Sequence, residues 1–208
     1  MQEEQEESEY WNQFQDALFR SIMDIDQCYF EVDRNEDIPA WRERVYCYEL
    51  FHQLRHHLPK GFPYTLHGEI DKRGHGSIGK AFEDYYKKYC QDKKDDKPKY
   101  PNPDFVVHVP KTRKNLVVME VKSTEGDYLE YKYKKDIDKL EMFIRTEKIK
   151  YEYGIFLIYG PTDQKEMIKD CVKGQIEDLI ERGKLHILHH KEVGKIPCDL
   201  SFQLRNGP

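Results

Sequence analysis

Two short apolar runs, DFVVHV (104–109) and NLVVMEVK (115–122), stand five residues apart. Both are rich in valine, whose branched Cβ suits a pleated strand better than a helix. The joining residues PKTRK are polar and open on proline, so the pair reads as an antiparallel hairpin. A helical pattern follows over 128–147, with Leu129, Tyr133, Ile137, Leu140 and Ile144 on one face and Asp127 placed to cap it. Next comes YEYGIFLIYG (151–160), apolar through its centre, as a strand covered on both faces must be. A strand, a helix and a second strand in this order imply a right-handed crossover with the strands parallel. Antiparallel and parallel pairing in one sheet make the class α/β, a mixed β-sheet flanked by helices.

The flanking segments fill in around this centre. Trp11, Phe14, Leu18, Ile22 and Ile25 follow helical spacing behind an acidic stretch, MQEEQEES, that reads as a frayed tail. Residues 31–40 read as a linker, which divides the chain into an extension (1–40) and a main domain (41–208). A second helix is expected from Trp41 to Leu58, with Cys47, Leu50, Phe51, Leu54 and Leu58 inward. LHGEIDK (66–72) reads as a short strand, RGHG (73–76) as a turn and 79–90 as helix. Seven charges and three prolines in 91–103 make a solvated loop. Asp163 and Glu166 have capping-box spacing for one helix ending near Gly183, and LHIL (185–188) closes the list of strands. The core order is helix, three strands, helix, strand (αβββαβ).

Composition removes several classes of function. The chain of 208 residues carries a formal charge of −5, which excludes a simple polybasic nucleic-acid binder but not an enzyme with a local basic groove. Five scattered cysteines without a CxxC pair indicate neither a zinc ribbon nor a disulfide framework. The adjacent pairs His56-His57 and His189-His190 diverge on any regular element, so neither chelates a metal alone. The amino-terminus has no apolar segment of a secretory leader, and no apolar run approaches the ~20 residues of a membrane helix. The expected location is cytoplasmic, with no membrane partner.

The chemistry concentrates at Pro103-Asp104 and Glu120-Val121-Lys122. Residues two apart on a strand share a face, so Glu120 and Lys122 point together while Met119 and Val121 point to the opposite layer. In a hairpin, Asp104 at the start of one strand lies beside Glu120 near the end of the next. Two carboxylates and an ammonium at one sheet edge suit a hard cation such as Mg²⁺, with Mn²⁺ an alternative, held against a phosphate. The bare acid-x-Lys pattern is uninformative, because it occurs five times in the chain. Only the Glu120 occurrence lies in an apolar strand preceded by a Pro-Asp that opens the neighbouring strand.

This combination over residues 41–160 resembles the PD-(D/E)xK nuclease superfamily, with its restriction-endonuclease-like core. The resemblance is one of pattern and element order. It implies a Mg²⁺-dependent nuclease that hydrolyses phosphodiester bonds of nucleic acid, expected to be DNA. Asp104 and Glu120 then bind the metal and Lys122 assists the attacking water. Many members add a glutamate on the helix before the first core strand, and Glu49 is the matching residue. Cutting both strands of a duplex would call for a homodimer.

Other residues are candidates for supporting roles. His67, Glu69 and Asp71 share one face of the 66–72 strand, and Glu69 is a second-rank site residue. His108 shares a face with Asp104, displaced by ~13 Å at roughly 3.3 Å per residue, which suits a substrate contact or a hydrogen bond better than the metal. Lys111, Arg113 and Lys114 on the hairpin turn, and the stripe Lys132, Lys135 and Lys139 on the next helix, are candidates for backbone phosphate contacts. The competing expectation is an inactive protein of the same fold, acting in nucleic-acid binding or assembly.

Overall fold

The computed structural model describes residues 2–33, 39–68, 79–89, 102–174 and 176–206. Its centre is a six-stranded sheet in the order β3-β4-β5-β6-β7-β8. The strands are β3 (Thr65–Gly68), β4 (Phe105–His108), β5 (Asn115–Ser123), β6 (Tyr153–Tyr159), β7 (Leu185–His190) and β8 (Cys198–Asp199). The valine-rich hairpin forms as expected, with β4 antiparallel to β5 and Phe105 opposite Met119. The crossover also forms, with β5 and β6 parallel and Glu120 beside Phe156. Antiparallel β3 and β8 close the two edges, so the sheet is mixed and the class is α/β.

Side-chain alternation on β5 sorts the core into two layers. Val117, Met119 and Val121 face helices α1 (Gln2–Met23) and α3 (Glu43–His57), joining Phe14, Leu18, Tyr46, Leu50 and Leu54. Val118 faces the other way, toward α5 (Leu129–Arg145), and joins Tyr133, Ile137 and Leu140. The amino-terminal helix therefore shares a core with the sheet, and Trp11 stacks on Tyr153 of β6 at 4.1 Å between ring centroids. Among the described residues no helix is long and apolar enough to cross a membrane.

Several local expectations give way. Helix α1 extends back to Gln2, where a frayed tail was expected. The 31–40 linker contains β1 (Val32–Asp33) and β2 (Pro39–Ala40), which pair with each other, and the short α2 (Gln27–Phe30) precedes them. Asp127 does not cap α5. Tyr128 holds that position in the left-handed region (φ 57°), with no side-chain cap. The helix expected from 163 to Gly183 is two pieces, α6 (Lys165–Cys171) and α7 (Glu177–Glu181), separated at Gly174, whose φ of +91° helical backbone cannot adopt. Helix α8 (Leu200–Asn206), which the sequence reading did not anticipate, packs on β7 through Ser201, whose Oγ accepts from Ile187 N at 2.5 Å. The predicted strand over 66–72 is observed only to Gly68, and α4 (Gly79–Tyr89) matches the helix expected there. Residues 69–72, the RGHG turn and the loop up to Pro101 lie outside the described residues.

Candidate functional site

The carboxyl-terminal half of β5 carries two charged residues into a region where the sheet is otherwise apolar. Glu120 projects into the α5 layer and is 2% exposed. Its Oε2 meets Lys139 Nζ of α5 at 2.8 Å. Lys139 also pairs with Asp136, one turn earlier on the same helix, at 3.1 Å. Asp136 in turn meets Lys122 at 3.2 Å, and Lys122 reaches Glu43, in the first turn of α3, at 2.7 Å. Glu43, Lys122, Asp136, Lys139 and Glu120 thus form a chain of alternating sign that joins α3, β5 and α5. Asp104 completes the group at the start of β4, where its Oδ2 accepts from the backbone N–H of Val121 at 2.8 Å. Hairpin register is the reason, since Phe105 opposite Met119 sets Asp104 against Glu120 and Val121.

Four carboxylates and two ammoniums leave two negative charges uncompensated in a poorly hydrated region. Burial is the leading single influence on the titration of these groups, with the neighbouring charges second. Burial pushes the Asp104 carboxyl up to about 6, although Lys122 and the Val121 N–H pull it down. Burial drives Glu120 well above the usual range, with Asp104 and Asp136 adding repulsion and Lys139 opposing it. Burial alone would lower Lys122 and Lys139, but their carboxylate neighbours outweigh it and both are raised. Both lysines are therefore firmly ammonium. The Cys47 thiol is also raised, first by burial and then by Asp104 and Glu43.

The donor atoms are of the type a hard divalent cation takes. Carboxylate oxygens are the right ligands, the excess charge has the right sign and size, and Glu120 Oε1 is buried with no hydrogen-bond partner. As the side chains stand, no three His, Cys, Asp or Glu among the described residues are arranged to hold a metal. Lys139 accounts for this in part, because its ammonium occupies the gap between Glu120 and Asp136.

The other predicted residues are placed differently. Glu49 is not drawn into the group. Its carboxylate accepts from Gln53 at 2.6 Å, and six residues at roughly 100° each put it about 120° around α3 from Glu43. His108 bonds His67 at 2.9 Å on the β3–β4 pair. Glu69 lies outside the described residues. Lys111, Arg113 and Lys114 are exposed at the far end of the hairpin; Asn115 and Glu120 are five residues apart, about 17 Å. They do not flank the carboxylates as a basic groove would. The lysine stripe is not uniformly solvated either, because Lys132 is exposed, Lys135 half-buried and Lys139 buried.

Sequence reasoning missed Glu43 and Asp136, although each left a signal. Glu43 continues the inward stripe of Cys47 and Leu50 back by one turn. Asp136 and Lys139 sit among Tyr133, Ile137 and Leu140, where two charges on a buried face require partners. A cleft of about 630 Å³ opens beside the group, lined by Glu43 and Cys47 of α3 and by Asp104 and Phe105. Comparison of the chain with protein-family models, with curated proteins and with solved structures returned no match.

Proposed function

We propose that the protein is a Mg²⁺-dependent nuclease of the PD-(D/E)xK type, which hydrolyses phosphodiester bonds of nucleic acid. The observation that carries this reading is the gathering of Asp104, Glu120 and Lys122 at the end of β5 with a net excess of negative charge. A divalent cation bound there neutralises phosphate charge and makes water a better nucleophile. Asp104 and Glu120 supply oxygen donors for it, Glu120 through its unpartnered Oε1. Lys122, fastened by Asp136 and Glu43, stays protonated, so it orients water or donates to a phosphate oxygen and does not accept a proton. Water attacks phosphorus in line as the opposite P–O ester bond breaks, and the leaving oxygen takes up a proton.

A second reading has one observation in its favour. Lys139 already pairs with both Glu120 and Asp136, as in a protein of this type whose buried charges serve the fold alone and which acts in nucleic-acid binding or assembly. Incubation with supercoiled plasmid and with a single-stranded oligonucleotide separates the two. Cleavage is expected with Mg²⁺, none with EDTA, and a loss of roughly a hundredfold or more in Glu120→Gln and in Lys122→Ala. Purified protein that cleaves neither the plasmid nor a single-stranded oligonucleotide, or a Glu120→Gln variant as active as the parent, refutes the nuclease reading.

A further inference from the structure

The cleft beside Glu43 and Asp104 has an aromatic wall. Tyr48 of α3 lines it with its side chain facing solvent, the residue being 65% exposed. Phe51, one turn on, lies nearly parallel to Phe105 at 6.2 Å between ring centroids, and both line the same cleft. Glu43, Asp104 and the rings thus share one opening. Its volume of about 630 Å³ falls within the roughly 300–1,000 Å³ of a site for one small ligand, enough for a single nucleotide. Stacking of an unpaired base on an exposed aromatic ring supplies affinity that is indifferent to sequence.

Resting on the nuclease reading, we infer that this cleft receives an unpaired nucleotide, with its base stacked on Tyr48 and its phosphate directed to the carboxylates, so that the substrate is single-stranded nucleic acid. Arg44, one turn before Tyr48 on α3, lines the same cleft. Gly68 also lines the cleft, where a Cβ would meet Phe51 and Phe105 at 3.9–4.0 Å.

Fluorescence anisotropy with a short labelled oligothymidylate tests the inference. Ca²⁺ replaces Mg²⁺ as an oxygen-liganded cation, and a gel confirms that the probe stays intact. The single strand is expected to bind about tenfold or more tightly than a duplex of the same length. Tyr48→Ala is expected to lose about tenfold in single-strand affinity, the size of one base–aromatic stack, while Tyr48→Phe keeps it. Because Tyr48 is exposed, neither variant disturbs the core. Equal or tighter binding of the duplex, no binding of either form, or full affinity in Tyr48→Ala overturns the inference. Its failure is distinguishable from failure of the nuclease reading. Single-strand binding that depends on Tyr48 without Mg²⁺-dependent cleavage of either plasmid or single-stranded oligonucleotide refutes only the latter, and cleavage that survives beside Tyr48-independent binding refutes only the former.

Discussion

Replacing Lys139 with methionine removes one ammonium from the charged group and leaves a side chain of similar length. Lys139 is 8% exposed and its partners Glu120 and Asp136 are 2% and 5% exposed. Glu120 Oε1 is already unpartnered, so without Lys139 neither oxygen of that carboxylate keeps a partner. Removing one member of a buried ion pair costs about 3–5 kcal/mol, because the remaining charge stays desolvated. For a domain of this size, about 2–4 °C of Tm accompanies each kcal/mol, so the melting temperature is expected to fall by roughly 10 °C. Differential scanning fluorimetry in EDTA measures the loss. Arg20→Met is the control, since its pair with Asp16 is 63% exposed on both sides and contributes at most about 1 kcal/mol. Titration with Mn²⁺ gives the second readout. The charge excess rises from two to three, and the gap between Glu120 and Asp136 opens, so the cation should raise Tm further in Lys139→Met than in the parent. An unchanged Tm in EDTA would show that the buried pairing contributes nothing. A smaller Mn²⁺ response in the variant would show that Lys139 holds the carboxylates in place for a cation and does not compete with it.

Two further predictions use other parts of the same end of the sheet. The Asp104 carboxyl is raised from 3.8 to about 6. The folded state then binds a proton more tightly than the unfolded chain, and the stability from that proton is present below pH 4 and lost as pH rises through 6. Asp104→Asn, which still accepts from Val121 N–H, should therefore be more stable than the parent at pH 8 by up to roughly 3 kcal/mol. Urea unfolding from pH 4 to 8 checks it; a difference that stays constant over that range contradicts the raised value. Gly160, just after β6, has φ +122°, and an added Cβ would stand 2.1 Å from Thr124 Oγ1. Gly160→Ala should cost roughly 3 kcal/mol or more through clash and backbone strain, and a loss under about 1 kcal/mol in the same assay would show that Thr124 moves aside freely.

The hairpin, the parallel crossover and the inward face of α5 were readable because each depends on local pattern. Valine alternation, a short polar joint and a 3.6-residue repeat act within a few residues of one another. The break between α6 and α7 was missed although Gly174 stands there, because an isolated glycine costs a helix only about 1 kcal/mol and does not by itself end it. The tail that is helical and the cap that falls on Tyr128 show the same weakness at element ends, where local preferences differ by too little to decide.

Asp104, Glu120 and Lys122 could be named from the sequence because strand alternation and hairpin register are short-range geometry. Glu43 and Asp136 could not, since their place in the group depends on how α3 and α5 dock on opposite faces of the sheet. Nor could the sequence distinguish Lys139, buried between two carboxylates, from the solvated Lys132 on the same helix. Which of many acids and lysines become partners is decided by long-range packing. Coulomb energy between charges is weak in water and strong only where the fold has removed the water.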